Sequence, residues 1–171
     1  FIDSGNFAYI LFFISESLQV FFLIIRSLPK TVSVDLFDWV IGFAGTVTPL
    51  FLRPGGVVLW PHGDIIVGLS VLISLLGLLS LNRSFAIVAA KREVKTRGLY
   101  AIVRHPMYAS YLLLFFGYLL FNASLLNFLV LFVTLIFLFL RIIEEEKHLS
   151  LSPEYRTYKE KVRFRLLPFI Y

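Results

Sequence analysis

Five apolar stretches, separated by short polar segments, dominate this chain: Phe7 to Ile25, Leu36 to Leu52, Ile65 to Leu81, Met107 to Phe121 and Leu125 to Leu140. A helix that crosses the hydrocarbon core of a bilayer needs about 20 residues, with about 17 as a lower limit. Runs of this length with so little internal charge predict an all-α, polytopic membrane bundle of about five transmembrane helices. The fourth stretch is short for a span and calls for flanking turns or a locally thinner bilayer. Composition agrees, with 58% hydrophobic and 16% charged residues, against about 45–50% and about 25% in soluble domains. "FNAS" at 121–124 reads as a tight turn, so the fourth and fifth helices are expected to form an antiparallel hairpin.

The basic residues fall in alternate connecting segments. Of the 16 lysines and arginines, all but Arg53 lie between spans one and two, between spans three and four, or after span five. By the positive-inside rule those segments are cytoplasmic, so the N-terminus is expected outside and a C-terminal helical tail in the cytoplasm. Topology and anionic lipid account for the net charge of +5, and no nucleic-acid partner is called for. The opening run lacks a positive leader and a small-residue cleavage site, so no cleavable signal peptide is expected. The absence of cysteine excludes disulfides, thiolate metal sites and a cysteine nucleophile. The outer segment "RPGGVVLWPHGD" (53–64) is rich in Gly and Pro and reads as irregular, with Trp60 as an interfacial anchor.

Two polar segments, 82–106 and 141–171, flank the hairpin and therefore share one membrane face. In "VKTRGLYAIVRHPMY" (94–108), Gly98 marks a turn or close backbone approach, and Pro106 suits the first turn of a helix. Arg104, His105 and Tyr100 then lie near a helix N-terminus, which favours an anion such as a carboxylate or phosphate. The plainer alternative is that Arg104 snorkels to lipid phosphate and His105 sits at the interface. In "RIIEEEKHL" (141–149), Arg141 and Glu145 are i, i+4 neighbours on one helix face, and Glu144 and His148 form a second such pair; a solvated charged face is the plainer reading. The hairpin brings both stretches to one corner. Arginine, glutamate and aromatic rings there suit a small zwitterion with a cationic centre. No HExxH, GxSxG or GxGxxG is present, so metal hydrolysis, a serine triad and a soluble dinucleotide fold are all unsupported, and no metal is expected. Glu16, within the first span, is costly in lipid and is expected to face the bundle interior. There it lines an acceptor's entrance or hydrogen-bonds a neighbouring helix.

"TRGLYAIVRHPMY", an apolar hairpin, "RIIEEEKHL" and "YRTYKEKV" together resemble the isoprenylcysteine carboxyl methyltransferase and phospholipid methyltransferase superfamily. Its pattern is RHPxYxG, then two membrane helices, then RxxxEExxL and YxxY, and the resemblance covers roughly residues 83–168. It implies an integral membrane methyltransferase that uses S-adenosylmethionine. Residues 1–171 would form a single membrane domain, with three spans in 1–82 and a cofactor-binding hairpin and tail in 83–171. Carried over by motif, Gly98, Leu99, Tyr100, His105, Pro106, Tyr108, Glu145, Glu146 and Leu149 would line the cofactor pocket. Arg141 and Glu145, with Arg104, would orient or deprotonate the acceptor. Ser110 replaces the family's second glycine, which bears on close helix packing. "SPE" (152–154) replaces a Phe-Gly before the tyrosines, which bears on the lid.

The expected reaction is methyl transfer to a lipid-borne or otherwise apolar acceptor: an isoprenylcysteine-like carboxylate, a phospholipid amine or a thiol. The rival readings are an NADPH-dependent reductase of sterol-reductase type and a non-enzymatic lipid-binding protein. Small size points to a bacterial or archaeal plasma membrane. The oligomeric state is not legible.

Overall fold

The computed structural model describes residues 35–81 and 94–170, together with single residues and pairs within 17–32 and Ala90 and Lys91. Glu16 lies outside the described residues, as does most of the first apolar stretch. Leu18 and Ile25 from that stretch pack against Leu78 and Met107. A two-residue antiparallel pair joins β1 (Thr31–Val32) to β2 (Ala90–Lys91). Otherwise the regular structure among the described residues is helical.

The helices follow the apolar stretches, with one break. α1 (Leu36–Val47) starts at Asp35, whose carboxylate accepts from the Phe37 N–H at 2.9 Å. It does not run on to Leu52 as one α-helix. Pro49 has no N–H to give and its ring crowds the preceding turn, so Thr48–Phe51 tightens into a 3₁₀ turn. α2 (Gly63–Leu81) and α4 (Leu125–Leu149) are both long and apolar enough to cross a membrane. α3 (Pro106–Phe121) is shorter, and Pro106 opens its first turn as expected. Ser124 caps α4 by accepting from the Asn127 N–H at 3.1 Å. A last helix, α5 (Pro153–Lys161), follows the break at Ser152.

α2 shows which solvent these helices are built for. Its buried positions include Ser70, Ser74 and Gly77, while Ile65, Leu69, Leu72, Leu76 and Leu79 are exposed. α4 likewise exposes Leu125, Leu129, Phe132, Ile136, Phe139 and Ile143, a stripe at helical spacing. In water such stripes would be buried; in lipid they are the outer surface, and small residues let helices approach. The protein is a membrane protein.

α3 packs chiefly on α2, and α4 on α1; α3 and α4 touch each other sparsely although the Asn122–Ser124 turn joins them. The close α2–α3 approach does not depend on position 110. A Cβ on Gly77 would lie 3.1 Å from Met107 Sδ, and one on Gly117 would lie 3.0 Å from Val67 Cγ2. Ser110 is buried and turns its hydroxyl to the Met107 carbonyl at 2.7 Å. At the end of the bundle where α3 turns into α4, Asn127, fully buried, holds the irregular segment in place. Its Oδ1 accepts from Arg53 N–H at 2.9 Å, and its Nδ2 donates to Arg53 O and Asn122 O at 2.8 and 2.7 Å. Val57 and Ala123 pair through two backbone hydrogen bonds, 2.8 and 2.9 Å.

Candidate functional site

The opposite end of the bundle carries the polar residues. The site is assembled from the start of α3, the last turns of α4, and the segment from α5 to Leu166. Gly98 opens a 3₁₀ turn, Gly98–Ala101, with φ +61°, and any Cβ there would collide with the Ser80 hydroxyl. Both observations demand glycine. The turn delivers Tyr100 to a buried position, and the Leu99 carbonyl accepts from Ile102 and Val103 N–H groups at 3.1 and 3.2 Å. Gly98 and Leu99 thus form the turn that leads into Tyr100 and the start of α3.

Two carboxylates, adjacent in sequence, lead separate clusters. Glu146, six residues past the apolar run ending at Leu140, is 3% exposed. Its Oε1 accepts from Arg104 Nε at 2.6 Å and lies 3.1 Å from His105 Nε2. Its Oε2 accepts from Arg165 Nε at 3.1 Å and lies 3.7 Å from Lys159 Nζ. Burial by itself pushes a carboxyl upward, but the hydrogen bond and charge of His105, with Arg104 and Arg165, outweigh it and hold Glu146 at about 2. The charge is therefore fixed.

Arg104 is fully engaged. Besides Glu146, its Nη1 donates to the carbonyls of Val162 and Arg163 at 3.1 and 3.2 Å. The backbone N–H groups of Arg104 and His105 donate to Phe164 and Arg165 carbonyls at 2.9 and 2.8 Å. Its burial corrects the snorkelling alternative for Arg104. It does not snorkel to lipid, and the anion it holds is the chain's own carboxylate. His105 is buried too, rather than resting at an interface.

Glu145 leads the second cluster. Tyr108 donates to its Oε2 at 2.6 Å, and the Arg141 guanidinium lies 5.4 Å from the centroid of the Tyr108 ring. Arg141 and Glu145 share a helix face as expected, but they meet through Tyr108, not as a direct ion pair. The rings of His105 and Tyr111 flank Tyr108 at 5.5 and 6.2 Å. Glu144 turns aside and pairs with Lys147 at 3.0 Å.

The sequence motif includes the tyrosines of the last helix but assigns no site residue to it. Pro153 and the buried Ser152, which bonds to Glu154, start α5 where the family's Phe-Gly was expected. From there Tyr155, Tyr158 and Val162 fall on one face, and Leu149 packs against them. The Tyr158 hydroxyl donates to Tyr100 O at 2.7 Å. The Tyr155 hydroxyl is buried and has no hydrogen-bond partner among the described residues. Burial pushes both hydroxyls above the ordinary tyrosine range, so they remain donors at neutral pH. The i, i+3, i+7 spacing of Tyr155, Tyr158 and Val162 is the available signal, whereas in the sequence Lys159 and Arg165 count only toward topology.

Fold and site together define a helical membrane protein with a buried, charge-fixed polar site at one end of lipid-facing helices. The model of the phospholipid methyltransferase family matches residues 61–155, more than half of the chain, and the protein belongs to that family. The match takes in α2, α3, α4 and the site as far as Tyr155; Lys159 and Arg165 lie beyond it. A search of curated proteins returned no match.

Proposed function

We propose that the protein transfers a methyl group from S-adenosylmethionine to an acceptor that is lipid-borne or otherwise apolar. The observation that carries this reading is the pairing of two unlike carboxylates on consecutive residues. Glu146 is consumed in tying α3, α4 and the C-terminal segment together. Glu145 gives only one oxygen to Tyr108, which leaves the other for a cation beside aromatic faces. The residues suit the cofactor: a carboxylate for its positive charge, rings for its flat base, and in Tyr155 a buried donor without a partner among the described residues.

S-adenosylmethionine would be held by Glu145 and the aromatic rings around Tyr108, and would supply a methyl group activated on a sulfonium for an acceptor lone pair. The chain's own residues then align the reactants and exclude water, which can contribute about 7–11 kcal/mol. Tyr108 and Arg141 fix the orientation of Glu145. For an amine acceptor Glu145 takes the departing proton; a carboxylate or thiolate needs no base. Arg104 and His105 act by positioning Glu146 and the segment that covers the site. A five-span arrangement, with this end in the cytoplasm by the positive-inside rule, lets the cofactor enter from water and the acceptor from lipid.

Calorimetric titration of the purified protein with S-adenosylhomocysteine tests the reading. We expect saturable binding, and a Glu145→Gln variant that still binds the product but turns over an amine acceptor at least about 100-fold more slowly. Binding of NADPH without S-adenosylhomocysteine would replace this reading with a reductase.

A further inference from the structure

The segment that covers the site runs into an apolar stretch. Residues 162–165 lie along Arg104 and His105 and supply Arg165 to Glu146. One residue later the environment changes. Leu166 is 3% exposed, in a cluster with Tyr108, Leu138 and Ile142. Leu138 belongs to the apolar run of α4 whose outward stripe meets lipid. Leu166 is thus packed where the apolar run of α4 meets the polar site. Beyond it, Leu167, Phe169 and Ile170 are 46, 88 and 78% exposed. The flanking residues Lys161 and Arg163 are exposed and basic.

We infer that residues 167–170 insert into the leaflet on the site side, so that the segment over Glu146 is a strap held at both ends, by Glu146 and by lipid. Two observations argue for lipid rather than a protein partner. The exposed residues directly follow Leu166, which is packed in a cluster with Leu138 and Ile142 of α4. The cations precede the apolar residues, which places Lys161 and Arg163 at phosphate level when Phe169 and Ile170 lie below it. The Phe169–Phe164 ring contact, 5.2 Å between centroids, braces this stretch. Burying the exposed Phe169 and Ile170 side chains stabilises insertion by enough to shift an open–closed equilibrium of the strap at least about tenfold. The inference rests on the membrane placement of the helices and stands whether or not the site transfers methyl groups.

The chain has no cysteine, so single-cysteine spin labels report one position each. In nanodiscs of phosphatidylcholine and phosphatidylglycerol, we expect labels at Phe169→Cys and Ile170→Cys to relax faster with oxygen than with a water-soluble nickel chelate. Thr157→Cys, exposed on α5, should show the reverse. Preferential nickel access at 169 and 170 would overturn the inference, as would protection from both reagents, which would mean a protein covers them. Tryptic cleavage at Lys161 and Arg163 reads the strap directly. Phe169→Glu/Ile170→Glu should be cut at least about tenfold faster in nanodiscs, with an unchanged melting temperature in detergent showing that the bundle is intact. Unchanged cleavage would overturn the coupling of insertion to closure.

Discussion

Glu146 and Tyr155 lie near each other in the site, and opposite consequences follow from replacing them. Glu146→Gln leaves Arg104 as a buried charge without its counter-charge, which costs about 3–5 kcal/mol; thermal unfolding of the variant measures it. The carboxyl sits below its ordinary value, from 4.5 to about 2, so its stabilising contribution is complete above about pH 4.5 and is lost as pH falls through about 2. Wild type should therefore lose its advantage over Glu146→Gln across that window and nowhere above it. Tyr155→Phe removes a hydroxyl that has no partner among the described residues, so stability should hold or rise slightly. The same change should weaken S-adenosylhomocysteine binding by about tenfold, the value of one lost hydrogen bond, as read by calorimetry. The identities of Arg104, His105, Tyr108, Glu145 and Glu146 were legible in the sequence, because two charged stretches flank one hairpin. Their division of labour was not. Which of two adjacent glutamates faces which cation depends on about 100° of helix rotation, and the chain order carries no record of that.

Helix existence could be read from the apolar runs, and the start of α3 from Pro106. The failure at Val47 was also written in the sequence, in Pro49, but hydropathy summed across the stretch hid it. Partnering was not legible. The short turn predicted a hairpin, yet α3 leans on α2 and α4 on α1, because the small residues that permit close approach lie on α2 and α3 and not between α3 and α4. A Gly117→Ala change puts a methyl group 3.0 Å from Val67 Cγ2 and should cost about 1–3 kcal/mol in a thermal melt. Asn127 looked like one more polar residue beside a turn. Only its surroundings show that both its amide groups serve backbone atoms of Arg53 and Asn122. Asn127→Ala should cost more than about 2 kcal/mol, since buried backbone groups lose their partners, and should do so without altering ligand affinity at the far end.

At the scale of the whole molecule, the site occupies one end of the bundle and the Asn127 clasp the other, with α4 running between them. With the site in the cytoplasm, as proposed from the positive-inside rule, labelling intact cells with a membrane-impermeant maleimide should modify Pro54→Cys, which is exposed beside the clasp, and leave Thr157→Cys untouched until the cells are opened. The reverse pattern would invert the orientation; equal labelling would deny that α4 crosses. The strap has a consequence in time as well as in space. Arg104 finds its carboxylate 42 residues later, at Glu146, and its carbonyl partners 58 and 59 residues later. A ribosome delivers these in that order. While the hairpin is entering the membrane, Arg104 has none of them. A chain stalled after α4 would hold the pair without its roof, and the quality-control machinery that removes unfinished membrane proteins would meet an open polar end.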